Sequence, residues 1–295
     1  MAAAAEGLTL GVDAGATRCR ARLRGAGGEI LAQSEGPAAN AYVDFDKAVT
    51  VARECVAHAV ARAGKRVRYT SDIKLGLGVA GVSNAAEARA FEAAFPEFAS
   101  ALVVNDVISA CAGAHGGADG GLVIAGTGTA GVARVEGRET IVGGRGFLLG
   151  DDGSAARVGA DALRAALRAY DGLSPECSLT REIRRRFADD PLAMTRWATQ
   201  AKPGDYGAFA PLVLEAARAG DAVAHRIVEA AARALGAIVE AVELLGAARV
   251  SMIGGLSAPI RPFLARELSA RLQPPLFDPI DGAILLAGGV VEAPA

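Results

Sequence analysis

Two carboxylates and a set of glycine–threonine turns carry the chemistry that can be read from this chain. Asp13 opens the turn Asp13-Ala14-Gly15-Ala16-Thr17, directly after the apolar run at residues 8–12. A glycine turn leaving a buried strand exposes backbone N–H groups with no Cβ in the way, which suits phosphate oxygens. Gly126-Thr127-Gly128-Thr129 repeats the arrangement after the apolar run at 122–125. Two such turns point to a nucleoside triphosphate. Beside its phosphates Asp13 could hold a hydrated Mg²⁺; an Asx turn satisfying only local amides is the alternative. Asp106 follows a predicted strand at 102–104 and precedes a predicted helix, which places its carboxylate at the carboxyl end of a strand, where α/β proteins put their sites. There it can take the proton of an attacking hydroxyl as a general base, although the position equally suits a helix N-cap.

The segment 143–154, Gly143-Gly144-Arg145-Gly146-Phe147-Leu148-Leu149-Gly150-Asp151-Asp152-Gly153-Ser154, places five glycines and two acids before a helix. Capping by Asp152 or Ser154 accounts for its end. Capping does not require Gly143, Gly144 and Gly146, so the loop is expected to bring backbone close to a polar ligand. Gly254-Gly255 ends another strand and could let an adenine or ribose lie against backbone, with a plain strand-to-helix turn as the alternative. No G-x-x-x-x-G-K-[ST] occurs, and the Gly126–Thr129 turn leads into a strand where a dinucleotide fingerprint would open a helix. P-loop and Rossmann sites are therefore disfavoured.

The elements that must position these residues follow from apolar periodicity. Strands are predicted at 8–12, 18–24 and 29–33, a helix at 45–63, a strand at 73–79, a helix at 85–95 stopped by Pro96, a strand at 102–104 and a helix at 107–114. The glycine cluster at 115–121 reads as a domain junction. After it the opening recurs, with strands at 122–125, 131–135 and 139–142. The remainder is mainly helical: 154–169, 179–187, 191–199, 207–219, 221–245, a strand at 249–253, then helices at 260–272 and 281–287. Each half thus begins strand, turn, strand, turn, strand, although unrelated hairpins could produce the same pattern. Alternation of strands and helices favours mixed sheets covered by helices.

Composition narrows the function classes. The 295 residues suffice for two domains. Lys+Arg of 31 against Asp+Glu of 33 gives a net charge of −2, without the basic excess that recruits nucleic acid or an anionic membrane. The four cysteines are widely spaced and only three histidines exist, so structural zinc and iron–sulfur ligation are unsupported and a reducing cytoplasm is expected. The mean hydropathy of +0.28 does not come from a membrane span. The stretch 230–248 is interrupted by Arg233, Glu240 and Glu243, and 283–291 is about half the ~20 residues required. Ala2–Ala5 carry no basic residue and are followed by Glu6, so no secretory leader is expected.

The ordered set Asp13-x-Gly15-x-Thr17, Asn105-Asp106, Gly126-Thr127-Gly128-Thr129, Gly143-Gly144-x-Gly146, Gly150 to Ser154 and Gly254-Gly255 resembles N-acetylglucosamine and glucosamine kinases of the BadF/BadG/BcrA/BcrD ATPase group. That group belongs to the sugar kinase, heat-shock ATPase and actin superfamily, and the resemblance runs from about residue 8 to about 288. It implies an α/β fold of two similar ribonuclease H-like, actin-like ATPase domains with ATP in the cleft between them. The expected division is 1–114, 115–280 and a final helix, 281–295, returning to the N-terminal domain. By position, Thr17 and Thr127 would contact ATP phosphates, with Gly15, Gly126 and Gly128 in the same turns and Gly254 in the separate nucleotide-side turn. Gly207 and Gly255 would lie by the nucleotide, and Asp106 would be the base. Asn40, Thr129, Ala130, Gly144, Arg145, Gly146 and Asp151 match positions lining the sugar pocket. One departure stands out: eukaryotic-type members look like G-G-W-G, and Arg145 replaces the tryptophan.

The resemblance implies an ATP- and Mg²⁺-dependent kinase acting on the 6-hydroxyl of N-acetylglucosamine or glucosamine, with a homodimer as an open expectation. Small neutral Asn40, Thr129 and Ala130, and a cation at Arg145 that would repel an ammonium, favour the acetylated sugar. An ATPase activator of the same group is one alternative, but such proteins hold an iron–sulfur cluster through closely placed cysteines, which this chain lacks. A nucleotide-dependent sugar sensor or actin-like assembly protein is the other. It would have no need of a carboxylate at Asp106.

Overall fold

The computed structural model describes residues 7–292. Ala2–Ala5, where no leader is expected, and the last three residues of the expected C-terminal segment lie outside the described residues. The chain divides into two compact units, the first built from the segment up to Gly120, Arg134–Glu139 and the tail from Pro274.

In the first unit, β1 (Leu8–Ala14), β2 (Cys19–Arg24), β3 (Ile30–Gly36), β4 (Ile73–Val79) and β5 (Ser100–Asn105) form a sheet of order β3-β2-β1-β4-β5. β2 runs antiparallel to both β1 and β3, whereas β4 is parallel to β1 and β5 to β4. The central strands read as near-continuous apolar runs because both faces of the sheet are covered. Helix α1 (Phe45–Ala63) is capped by Asp44, whose Oδ1 accepts the Lys47 amide at 3.0 Å, and buries Val51, Ala52, Cys55, Val56 and Ala59. Helices α2 (Ala85–Glu92) and α3 (Asp106–Ala114) follow β4 and β5.

The C-terminal helix, Pro279–Leu286, lies against β1, β4 and α3 at backbone distance. A Cβ on Gly76 would collide with the Ala283 carbonyl, and one on Gly282 with the Ser109 carbonyl. Charge fixes the helix lengthwise. Alternate residues of a strand share one face, and on β2 that face carries Arg20, Arg22 and Arg24. Arg22 reaches Asp278 at 2.9 Å and Asp281 at 2.8 Å, while Arg24 donates to both oxygens of Asp281 at 2.9 and 3.0 Å. Arg24 and Asp281 are each 5% exposed, so this is a buried network.

The second unit comprises Gly121–Ala133 and Thr140–Gln273. β6 (Gly120–Ala125), β7 (Thr129–Val135), β8 (Arg138–Gly143), β9 (Val250–Ile253) and β10 (Leu272–Gln273) form a sheet of order β10-β9-β6-β7-β8. β9 is parallel to β6 and β10 to β9. The strand order is that of the first sheet, with β6 in the place of β1, so the repeat expected from sequence is a repeat of architecture. Helix α4 (Ala155–Tyr170) and the helices Ser178–Arg185, Pro191–Gln200, Pro203–Gly207, Ala210–Arg218 and Ala222–Leu244 complete the unit.

Three helix expectations require correction, the first being the helix at 85–95, which ends at Glu92 before Pro96 is reached. The helix at 260–272 is instead a turn at Ser257–Ile260, a 3₁₀ turn at Arg261–Phe263 and a short helix at Arg266–Arg271. Pro262 has no N–H to donate, and the chain is extended at Leu264, with φ −70° and ψ 151°. The break frees Leu272 and Gln273 to pair with β9. The helix expected at 207–219 starts only at Ala210, because Gly207 closes a separate short helix opened by Pro203. Among the described residues no helix is long and apolar enough to cross a membrane.

Backbone-to-backbone packing leaves Gly282 no room for a methyl group. Gly282→Ala is expected to lower stability by roughly 1–3 kcal/mol in urea unfolding. Gly204→Ala, where a Cβ meets nothing within 4 Å, should stay within about 0.5 kcal/mol of the parent. Equal midpoints for the two variants would show that close approach is not what seats the terminal helix.

Candidate active site

Strand register assembles one group of residues in the first unit. Ala14 pairs with Val79 and Val79 with Asn105, so the carboxyl ends of β1, β4 and β5 stand side by side. Asp13 lies one residue before this row and Asp106 one residue after it. Asn105, not Asp106, caps α3: its Oδ1 accepts the Val107 amide at 3.0 Å and its Nδ2 donates to the Val82 carbonyl at 2.7 Å. The capping alternative for Asp106 therefore falls to its neighbour, and Asp106 becomes the first residue of the helix. The residue is partly exposed, yet its carboxyl group is closely surrounded by protein. Desolvation by burial, followed by the charge of Asp13, pushes its pKa up to about 6, against a partial pull from the amides of Val107 and Asp106. Such a group is ionised at neutral pH and a better proton acceptor than an ordinary aspartate.

Asp13 is not spent on a local turn. The turn is closed by the Gly15 amide donating to the Arg18 carbonyl at 3.0 Å, while Asp13 Oδ2 accepts from Arg20 Nη2 across the strands at 2.7 Å. Thr17 is exposed at the tip. Asn40 forms a parallel bridge with Ala80, just beyond β4, and its Oδ1 accepts the Tyr42 amide at 3.0 Å. The residues around Asp13 fit a magnesium ion of the kind that keeps most of its waters: one Asp13 oxygen is taken by Arg20, and the mutual repulsion of Asp13 and Asp106 is what a cation would relieve. Among the described residues no group of three metal-ligating side chains occurs, which such an ion, held chiefly by phosphate and water, does not need.

A second group forms within the second unit around Gly126-Thr127-Gly128-Thr129. Gly126 donates to the Gly128 carbonyl at 3.0 Å, and the first amides of α4, Ala155 and Ala156, donate to the carbonyls of Gly126 and Thr127 at 2.9 and 3.3 Å. Asp151 Oδ1 accepts the Thr129 amide at 3.1 Å, and a Cβ on Gly128 would come within 3.0 Å of Asp151 Oδ2. Asp151 has φ +58°, a left-handed conformation that a non-glycine residue holds only when its surroundings impose it. Burial raises its pKa above the ordinary carboxylate value. The Thr129 hydroxyl is buried without a hydrogen-bond partner, and Ala130 beside it is buried. Gly144 donates to the Thr129 carbonyl at 3.1 Å, and a Cβ there would press on Ala130 at 3.2 Å. Gly254 packs on the Ala125 carbonyl and Gly255 is open to solvent. Gly207 faces Ala155 and Ala156. Arg145 and Gly146 are exposed on the loop, and the Arg145 guanidinium has no hydrogen bond or ion pair among the described residues.

Each unit thus gathers its own share of the sequence-derived residues: Asp13, Gly15, Thr17, Asn40 and Asp106 in the first, the remainder in the second. Three contributors were left without a role by the sequence alone. Arg20 was signalled by the basic alternation of 18–24, which has meaning only once its face meets carboxylates. Asn105 was hidden because Asn and Asp both cap helices. Arg157, which holds the loop at 143–153 as described below, left no signal.

The elevated Asp106 pKa carries a stability consequence. With an unfolded-state value near 3.9, ionising Asp106 penalises the native state: the penalty is absent below about pH 4, grows through the interval and is complete above about pH 6. In ligand- and metal-free protein, Asp106→Asn is therefore expected to be more stable at pH 8 by about 1–3 kcal/mol, with the difference gone at pH 4. Thermal melts across that range check it. A carboxylate serving to stabilise the start of α3 would give the opposite sign.

The BadF/BadG/BcrA/BcrD ATPase family model matches residues 10–287. A glucosamine kinase of Vibrio cholerae is 30% identical over 279 residues, 95% of either chain. An N-acetyl-D-glucosamine kinase of Dictyostelium discoideum is 28% identical over 249 residues, 79% of this chain and 78% of its own. A solved structure from Chromobacterium violaceum, provisionally assigned as an N-acetylglucosamine kinase, has a TM-score of 0.88 at 33% identity, covering 96% of this chain and 100% of that one. Two α/β domains with sheets of like strand order, and this match along nearly the whole sequence, lead to one conclusion: the chain belongs to the BadF/BadG/BcrA/BcrD ATPase family.

Proposed function

We propose that the chain is an ATP-dependent kinase that phosphorylates the 6-hydroxyl of N-acetylglucosamine or glucosamine. The observation that carries the reading is Asp106: a partly exposed aspartate at the end of β5, relieved of capping by Asn105 and tuned to about 6. In this reading Asp106 accepts the proton of the 6-hydroxyl as its oxygen forms a bond to the γ-phosphorus of ATP. The bond from that phosphorus to the β,γ-bridging oxygen breaks, and ADP leaves. Gly15, Thr17, Gly126, Thr127 and Gly128 contact the phosphates, while Gly207, Gly254 and Gly255 border the nucleoside. A magnesium ion bound through water to Asp13 would supply charge neutralisation at the phosphates. Asn40, Thr129, Ala130, Gly144, Arg145, Gly146 and Asp151 border the sugar, where the unpartnered Thr129 hydroxyl gives a sugar oxygen a partner. Positioning and charge supply most of the acceleration in such transfers. The reading includes a cytoplasmic setting and leaves a homodimer open.

The relatives divide on the acceptor: the Vibrio protein is named for glucosamine and the Dictyostelium protein for its N-acetyl derivative. Neutral Asn40, Thr129 and Ala130, with an unpaired cation at Arg145, favour the acetylated sugar. A coupled ADP-release assay over N-acetylglucosamine, glucosamine and glucose tests both points. Turnover is expected with the amino sugars, highest in kcat/KM for N-acetylglucosamine, and phosphorus NMR should place the ester at C6. Absence of ADP release with either amino sugar would overturn the kinase reading. A tenfold preference for glucosamine, about 1.4 kcal/mol of transition-state binding, would reassign the substrate.

A further inference from the structure

The loop at 143–153 poses a physical problem. Gly143, Gly144 and Gly146 all have positive φ (71°, 66° and 78°), and glycine-rich backbone loses the most conformational freedom when it is fixed. Its tip offers no apolar anchor, since Leu148 and Leu149 are 88% and 91% exposed. Yet it must present Asp151 in a strained left-handed conformation, with its carboxylate on the Thr129 amide.

One side chain resolves this. Arg157, on the first turn of α4, donates Nη2 to the carbonyls of Phe147 at 2.8 Å and Gly150 at 3.0 Å, on either side of the exposed leucines. Its guanidinium also lies over the Phe147 ring at 5.2 Å, and that ring packs on Tyr206 with centroids 5.0 Å apart. A planar guanidinium can stack on a ring and bracket two carbonyls at once, whereas an ammonium cannot do both. The Gly150 carbonyl belongs to the peptide that leads into Asp151, so the bracket ends where the strain begins.

We propose that Arg157 is a positioning residue for the acceptor sugar: it touches neither substrate and acts by holding the loop that presents Gly144, Arg145, Gly146 and Asp151. The proposal rests on the assignment of these residues to the sugar, and its test separates the two. Wild type, Arg157→Met, which keeps an apolar stem, and Arg157→Lys, which keeps one charged donor, would be compared by hydrogen–deuterium exchange without ligand and by steady-state kinetics with N-acetylglucosamine, glucosamine and ATP. Faster exchange at 144–151 is expected in Arg157→Met, with β6 and the helix Ala222–Leu244 unchanged. The sugar KM should rise tenfold or more while the ATP KM stays within twofold, and Arg157→Lys should fall between. Unchanged loop exchange in Arg157→Met would overturn the proposal whatever the activity. So would a faster loop with an unchanged sugar KM, or ATP and sugar KM values rising together. Should the wild type turn over no amino sugar, the kinase assignment and the role toward the sugar both fail, and exchange alone decides whether Arg157 holds the loop.

Discussion

Asp281 is buried between Arg22 and Arg24, and a buried carboxylate left without a partner would cost several kcal/mol. That requirement fixes where the C-terminal helix begins along the sheet. From there its backbone runs so close to α3 that Gly282 and Gly113 admit no side chain at the contact. Helix α3 is thereby held against β4, and Asp106 is its first residue. The final eight-residue helix thus bears on the placement of the proposed base, although Pro279 and Asp106 lie far apart in sequence.

The face of β2 that carries this network extends to the proposed phosphate-binding turn. Arg20, Arg22 and Arg24 occupy alternate positions, and the first of them pairs with Asp13 while the other two seat the helix. One strand therefore links the orientation of Asp13 to the docking of the element that holds Asp106. Burial of Asp106, and after it the repulsion of the nearby Asp13 carboxylate, raises the Asp106 pKa. It also disfavours the folded state at neutral pH, the usual tension between stability and a poised functional group.

How much of this was legible in the residues follows from the range of each interaction. The expected helix at 45–63 and the observed Phe45–Ala63 coincide because apolar spacing is local. The repeated strand–turn–strand opening was visible for the same reason, and the strand orders of the two sheets match it. The break at Pro262 was missed because apolar periodicity continues across it, while β10 depends on pairing with a strand some twenty residues away. At the site, residue types and order pointed to Asp13, Asp106 and the glycine turns. Which of Asn105 and Asp106 caps the helix, and which arginine meets which carboxylate, are settled only by side-chain direction in three dimensions.

The proposed phosphoryl transfer turns on Asp106 taking the proton of the acceptor hydroxyl. Its most direct measurement is the turnover of Asp106→Asn with a saturating amino sugar and ATP, paired with sugar affinity by calorimetry. kcat is expected to fall by about 10²- to 10⁴-fold with sugar affinity within a few-fold of the parent. Near-normal turnover in a variant that binds sugar normally would contradict it, and would leave Asp106 as no more than the first residue of α3.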